Sequence, residues 1–329
     1  MSFKEEALLL TNSDVQKLLT VEDVIEIVEN TWKYYGEGKI IMPSKITTDM
    51  SPLGVDGWFN SMPSYIKPLD VAGIKVVGGY NGNKKLGMPY IKANVMLTDP
   101  YTGLLRALVS GDWISDMRTG AQPAIMLKYL AYSTDTVTII GAGLQAYTSL
   151  LCMSKTLKIK KVYVCDLSAQ ARQNFISKFE GADFELVDCE DTESACKASD
   201  VIITVTTANA DLVKASWVKE GAMVVTMGSF KEVEFDVVRQ ADVIAVDHIE
   251  QSLHRGNLKP LAELGEITAE SFDVEIGKLL AGKSTYVKDA KKRVYAQIVG
   301  MGCPDVACAE TARQRALKDG NVTIFDMQK

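Results

Sequence analysis

Thr138-Ile139-Ile140-Gly141-Ala142-Gly143-Leu144-Gln145-Ala146 is the stretch whose reading decides the fold. A β-branched strand stops at a G-x-G-x-x-A turn, and a helix starts inside that turn. Gly141 permits the tight bend, Gly143 lets the backbone come up against a pyrophosphate, and Ala146 allows the helix to pack close to the strand. The first N–H groups of the helix and its dipole then suit an anion. A glycine turn alone is a weak signal. Asp166, however, ends the next expected strand twenty residues beyond Ala146, where a carboxylate accepts hydrogen bonds from a ribose diol. The combination predicts a Rossmann half that binds a dinucleotide through Gly141, Gly143, Leu144, Gln145, Ala146 and Asp166. A carboxylate there repels a ribose phosphate, and no cation follows before Arg172, so NAD is expected over NADP.

Working outward, residues 137–140, 161–165, 184–187, 201–206, 223–226 and 243–246 read as strands alternating with helices, the pattern of a parallel sheet wound by crossovers. Thr206, Thr207 and Gly228 follow the fourth and fifth of these, at strand ends where ligands bind in open sheets; they read equally as turn formers. Before residue 130 the texture differs. Residues 13–38 carry apolar side chains at helical spacing with Ser13 as a cap and a possible break near Thr20. Short apolar runs at 58–62, 71–77, 90–98 and 104–109, punctuated by Asn81-Gly82, Asp99-Pro100 and Thr102-Gly103, predict an antiparallel sheet with hairpins. A helix is expected over 110–130, a helical stretch over 270–280, and a final segment over 299–318 that returns to the N-terminal part.

At 329 residues two domains sharing a cleft are expected. A net charge of −6 and a pI near 5.2 lack the basic excess that a nucleic-acid surface needs. No apolar run reaches the roughly 18 residues that span a bilayer. The six cysteines form no Cys-x-x-Cys pair and read as reduced thiols of a cytoplasmic protein. His248 and His254 have no further ligands at zinc spacing, so no metal is expected.

Over nearly its whole length the sequence resembles the ornithine cyclodeaminase and mu-crystallin family. The likeness rests on Met62-Pro63, Gly73-Ile74-Lys75, Met117-Arg118-Thr119-Gly120-Ala121, the glycine turn, Ala262-Glu263-Leu264-Gly265-Glu266-Ile267 and Val299-Gly300-Met301. The resemblance implies an α/β architecture with a Rossmann NAD-binding domain over 131–303 and an α+β substrate-binding and dimerisation domain made of 1–130 and 304–329. It also implies a homodimer and hydride transfer between NAD(H) and the α-carbon of a small amino acid, keto acid or imine. Lys75 matches the family's lysine beside the reacting carbon, and a partly desolvated lysine can exchange protons there. Arg118 matches the arginine that binds the substrate carboxylate, a task suited to its planar fork. The alternative for Arg118 is a helix-surface ion pair with Asp112 or Asp116. Asn94 aligns with a position near the nicotinamide carboxamide and reads equally as a strand hydrogen bonder.

Three departures bear on the reaction. A second family arginine is Lys45 here, a point charge in place of a fork. A glutamate of ornithine-processing members is Asn60. The segment whose aspartate serves ring closure in cyclodeaminases is replaced by Gly228-Ser229-Phe230-Lys231-Glu232-Val233-Glu234. An amino-acid dehydrogenase or imine reductase is therefore expected ahead of a cyclodeaminase-type lyase or a non-catalytic, crystallin-like NAD-binding protein. Glu232 or Glu234 could supply a replacement carboxylate, but a solvated charged turn is the favoured reading, as it is for Lys283, Lys288, Lys291 and Lys292.

Overall fold

The structure, a computed structural model, describes residues 6–320 and 323–327. It divides into two compact units, Met1–Arg118 with Met301–Lys329, and Thr119–Gly300. The first division falls inside the helix Asp112–Leu130, ahead of the border expected after residue 130.

In the first unit a sheet runs in the order Thr323–Asp326, Glu6–Leu10, Leu105–Ser110, Ile91–Thr98, Val71–Tyr80, Gly57–Ile66, Ile40–Ile41, with Ile46–Asp49 also paired to Gly57–Ile66. Its central hairpins are antiparallel, as their turns predict, while Glu6–Leu10 joins Leu105–Ser110 in parallel. Alternation assigns the two faces. Met62, Lys75, Val95, Val109 and Leu10 stand in one cross-strand row on the covered face. The helix Cys303–Asp319 lies against that sheet and against the N-terminal helices. Close approach explains two glycines: a Cβ on Gly73 would stand 2.7 Å from the Met96 carbonyl oxygen and 3.2 Å from Val306 Cγ1, and one on Gly302 would stand 2.8 Å from the Met62 carbonyl oxygen.

The single helix expected over 13–38 is two, Asn12–Leu18 and Val21–Gly36, and Thr11 rather than Ser13 caps the first. The cause of the break is local. Thr20 accepts from Asp23 N at 3.1 Å and Asp23 accepts from Thr20 N at 2.8 Å, a capping box that restarts the helix. Asp23 also takes both Nη atoms of Arg315 at 2.6 and 2.7 Å, and that guanidinium holds the Asp23 carboxyl well below the usual range.

The second unit is a parallel sheet in the order Glu185–Cys189, Lys161–Cys165, Thr136–Ile140, Val201–Thr204, Met223–Met227, Val294–Ile298, Val243–Val246, Val274–Glu275. The strand order reverses direction between Thr136–Ile140 and Val201–Thr204, the switch point of a Rossmann fold. Two expectations are corrected. Val294–Ile298, unassigned from sequence, inserts beside Met223–Met227 and displaces Val243–Val246 outward by one place. The helix expected over 270–280 is a turn, the short strand Val274–Glu275 and a five-residue helix, Ile276–Leu280. Buried Gln297 accounts for the inserted strand's hidden character: its carboxamide accepts from Leu258 N at 3.0 Å and donates to the Ser252 and Arg255 carbonyls at 3.2 and 3.0 Å. Gly120 belongs to this unit. A Cβ there would fall 2.4 Å from the Thr148 carbonyl carbon, so glycine lets the helix Asp112–Leu130 touch the backbone of Leu144–Thr156.

Candidate active site

In the first unit Lys75 sits at the middle of the strand Val71–Tyr80 with no exposed surface. Its strand neighbours in the covered row, Met62 and Val95, give the ammonium nothing to bond. The polar partners come from two helices. Lys75 Nζ donates to Ser115 Oγ at 2.8 Å and meets Asp305 Oδ1 at 2.7 Å. Arg118, one turn beyond Ser115, donates through Nε to the same Asp305 carboxylate at 3.1 Å. Burial, then the Arg118 charge, lowers Lys75 to about 8, with Asp305 and Asp116 opposing. Asp116 is raised to about 6, first by burial and then by Asp112, against Lys75 and Arg118. A lysine lowered to about 8, beside a guanidinium, is equipped to exchange a proton and to hold an anion.

Of the two carboxylates considered as surface partners for Arg118, Asp112 is engaged by Lys92 and by Ala93 N, while Arg118 Nε reaches Asp305. Lys45 directly precedes Ile46, which pairs with Ser61, so it reaches the level of Met62, the partner of Lys75. Asn94 does not join them. It is exposed, next to fully buried Val95, and faces away from Lys75. Asp305 was missed in sequence because 187 positions separate it from Arg118. The available signal was a lone carboxylate, one residue after Pro304, among the buried small residues Cys303, Val306, Ala307 and Ala309.

In the second unit the glycine turn has the geometry its sequence predicts. Gly141 has φ +103°, and a Cβ there would stand 2.8 Å from the Val205 carbonyl oxygen, across the switch point. Gly143 caps the helix Leu144–Thr156 without a side-chain bond, and a Cβ on it would meet nothing within 4 Å. Ala146 is fully buried. Asp166 Oδ2 accepts from Ala142 N at 2.9 Å and Oδ1 from Ser168 N at 2.9 Å, which braces the turn and still leaves acceptor capacity on a carboxylate. Arg172 is committed to Asp188, to Glu190 at 2.8 Å and to the Asp166 carbonyl at 2.7 Å. These residues fit a dinucleotide whose ribose carries no phosphate. Thr207 and Gly228 lie exposed after the strands Val201–Thr204 and Met223–Met227.

Glu232 overturns the expectation of a solvated turn. It is fully buried and accepts from Thr204 Oγ1 at 2.9 Å, Thr206 N at 2.7 Å and Thr206 Oγ1 at 2.6 Å. Burial raises it to about 7 against those bonds. Its oxygens, and the hydroxyl of Thr206, thus serve to tie the loop down. Glu234 accepts from Ala215 N at 3.1 Å. Lys283, Lys288, Lys291 and Lys292 are exposed. Among the described residues no cluster of potential ligands could hold a metal ion, and no helix is long and apolar enough to cross a membrane.

The model of the ornithine cyclodeaminase/mu-crystallin family matches residues 5–320. An alanine dehydrogenase of Archaeoglobus fulgidus is 29% identical over 317 residues, 95% of this chain and 96% of that one. An archaeal alanine dehydrogenase dimer solved with NAD superposes with a TM-score of 0.90 at 28% identity, covering 98% and 99% of the two chains. The Δ1-pyrroline-2-carboxylate reductase of Thermococcus litoralis, solved with NADH and L-proline, superposes with a TM-score of 0.87 at 30% identity, covering 96% and 99%.

Proposed function

The chain belongs to the ornithine cyclodeaminase/mu-crystallin family, and from that premise we propose that it is an NAD-dependent oxidoreductase acting on the CH–NH bond of an amino acid or the C=N bond of its imine. The observation that carries the reading is the buried group Lys75, Asp305 and Arg118. Bound NADH supplies the hydride that the imine carbon receives. Lys75 gives a proton to the imine nitrogen as its own N–H bond breaks, and takes one back in the oxidative direction. Arg118, with Lys45, holds the substrate carboxylate. Gly143, Leu144 and Gln145 receive the pyrophosphate, with Gly141 shaping the bend and Ala146 the close helix packing that the turn needs, and Asp166 receives the ribose. Thr206, Thr207 and Gly228 line the same strand ends, with both the N–H and the hydroxyl of Thr206 engaged by Glu232. Asn94, on the other sheet face, has no support from the geometry for the nicotinamide role.

The test is a spectrophotometric screen at the nicotinamide absorbance. Cyclic imines and keto acids with amines are offered with NADH or NADPH, and L-amino acids with NAD or NADP. Turnover of an imine or amino acid with the NAD pair is expected. Saturable NADH binding without any turnover across the panel would instead support the non-catalytic reading, and ammonia release without net NADH change the lyase reading.

The dimeric state of the archaeal relative supports a homodimer here, and so does the uncovered face of the first sheet. Pro63, Ile74, Met96, Leu108 and Leu9 form one cross-strand row on that face, with Leu9, Met96 and Leu108 exposed and Val76 beside them. A contiguous apolar patch of this kind marks an interaction surface. Met96→Glu combined with Leu108→Glu is expected to convert a particle of twice 36.0 kDa to one of 36.0 kDa in light scattering. A dimer unaffected by both charges would place the interface elsewhere. Six free thiols, including the cross-strand neighbours Cys165 and Cys189, support a cytoplasmic setting.

A further inference from the structure

Asp305 occupies the third position of the helix Cys303–Asp319, where a negative charge also interacts well with the helix dipole. The start of that helix is fixed, because Gly302 presses on the backbone of Met62, the cross-strand partner of Lys75. Asp305 therefore enters the Lys75 row from a defined point, with no exposed surface. Its carboxylate meets Lys75 Nζ at 2.7 Å and Arg118 Nε at 3.1 Å. Stability does not call for such a trio. A buried ion pair generally contributes little over well-packed apolar residues of the same volume, although breaking one by removing a single partner is costly. Met62, Val95 and Val109 show that this row accepts apolar side chains.

We propose that Asp305 is the positioning residue of this site: its carboxylate retains Lys75 as an ammonium and grips Arg118 by its Nε edge, aiming the guanidinium fork at the substrate carboxylate. The inference deepens the oxidoreductase reading and rests on it for the identity of the substrate. A carboxylate so placed does two separable things. Toward Lys75 it acts by charge, since an opposite charge within about 4–6 Å shifts a titration by about one to three units. Toward Arg118 it acts by direction, because Nε and the Nη atoms lie in one rigid plane. The other charged or titratable groups facing Lys75 are Arg118 and Asp116 on the helix Asp112–Leu130, and Cys308 on the helix that carries Asp305. Burial pushes the Cys308 thiol far up, so it adds no charge near neutrality. Of the two carboxylates, Asp305 is the one whose oxygen meets Lys75 Nζ at 2.7 Å, and it outranks Asp116 among the charges that favour the ammonium.

The experiment is a 15N NMR titration of the Lys75 side chain in the full chain, assigned by its loss in Lys75→Arg, alongside kinetics in the reductive direction. Asp305→Asn, which keeps the shape and removes the charge, is expected to lower the Lys75 midpoint by about one unit or more. It should lower kcat about tenfold and raise KM for the carboxylate substrate, with Asp305→Glu recovering the titration. Asp305→Ser takes its place if the amide variant does not fold. A purely structural Asp305 would lower thermal stability while leaving the Lys75 midpoint and the ratio of kcat to KM at wild-type values, and that result overturns the proposal. The titration needs no turnover, so the two ideas fail separately. A shifted Lys75 in a chain inactive toward every imine sinks the oxidoreductase reading alone, while an active enzyme whose Lys75 ignores Asp305 sinks this one alone.

Discussion

Lys75→Met is expected to lower kcat for imine reduction by about 10²–10⁴-fold, the usual worth of a positioned proton donor. Methionine fills the space of the lysine stem in the row between Met62 and Val95, so the sheet has no reason to rearrange. It leaves Asp305 without its closest cation, which Arg118 partly offsets. NADH affinity should stay within about twofold, because no residue of the glycine turn or Asp166 is touched. The sign of the pH dependence follows from the midpoint near 8. Imine reduction needs the ammonium, so its rate is fully developed below that midpoint and falls as pH rises through it. Amino-acid oxidation needs the free amine and rises over the same interval. Steady-state rates across that range in both directions check the assignment. A Lys75→Met enzyme with near-normal kcat, or a wild type whose two profiles run in the same direction, would remove Lys75 from the chemistry.

What the sequence makes legible is local. The glycine turn and Asp166 are separated by one helix and one strand, and each small residue answers a steric need that the structure meets at Gly141 and Ala146. Lys75 was legible through the resemblance, since Gly73-Ile74-Lys75 matches a family strand, and its apolar neighbours Ile74, Val76 and Val77 argue against a solvated strand-edge charge. Asp305 was not legible, because its meaning comes from a contact made when the last helix returns to the first sheet. Glu232 misled for the opposite reason. In a run of charged residues it reads as solvated, yet the two threonines that capture it lie more than two dozen positions earlier, at a strand end. Val294–Ile298 was hidden by Gln297, a polar residue that is tolerable in a buried strand only because three backbone groups from another segment satisfy it. Propensity and spacing describe the chain's own neighbourhood, and these three features depend on partners brought in from afar.

Asp166→Ala is expected to weaken NADH binding by about ten- to a hundredfold, since charge-assisted hydrogen bonds contribute about 1.5–3 kcal/mol and a tenfold change corresponds to about 1.4 kcal/mol. Part of the loss comes from the turn itself, because the same carboxylate braces Ala142 N at 2.9 Å. Removing the carboxylate is not expected to recruit NADPH. A ribose phosphate needs a cation, and Arg172, the first one along the chain, has its guanidinium held by Asp188, Glu190 and the Asp166 carbonyl. On the proposed reading NAD preference is built twice, by a repelling charge and by the confinement of Arg172. Adding Asp188→Asn and Glu190→Gln to Asp166→Ala removes both charges that confine Arg172, and the triple variant should bind NADPH at least as tightly as NADH. Fluorescence titrations with the two reduced coenzymes measure this without turnover. If Asp166→Ala alone already prefers NADPH, the confinement of Arg172 has no part in the choice; if it binds NADH as the wild type does, Asp166 is not the ribose ligand.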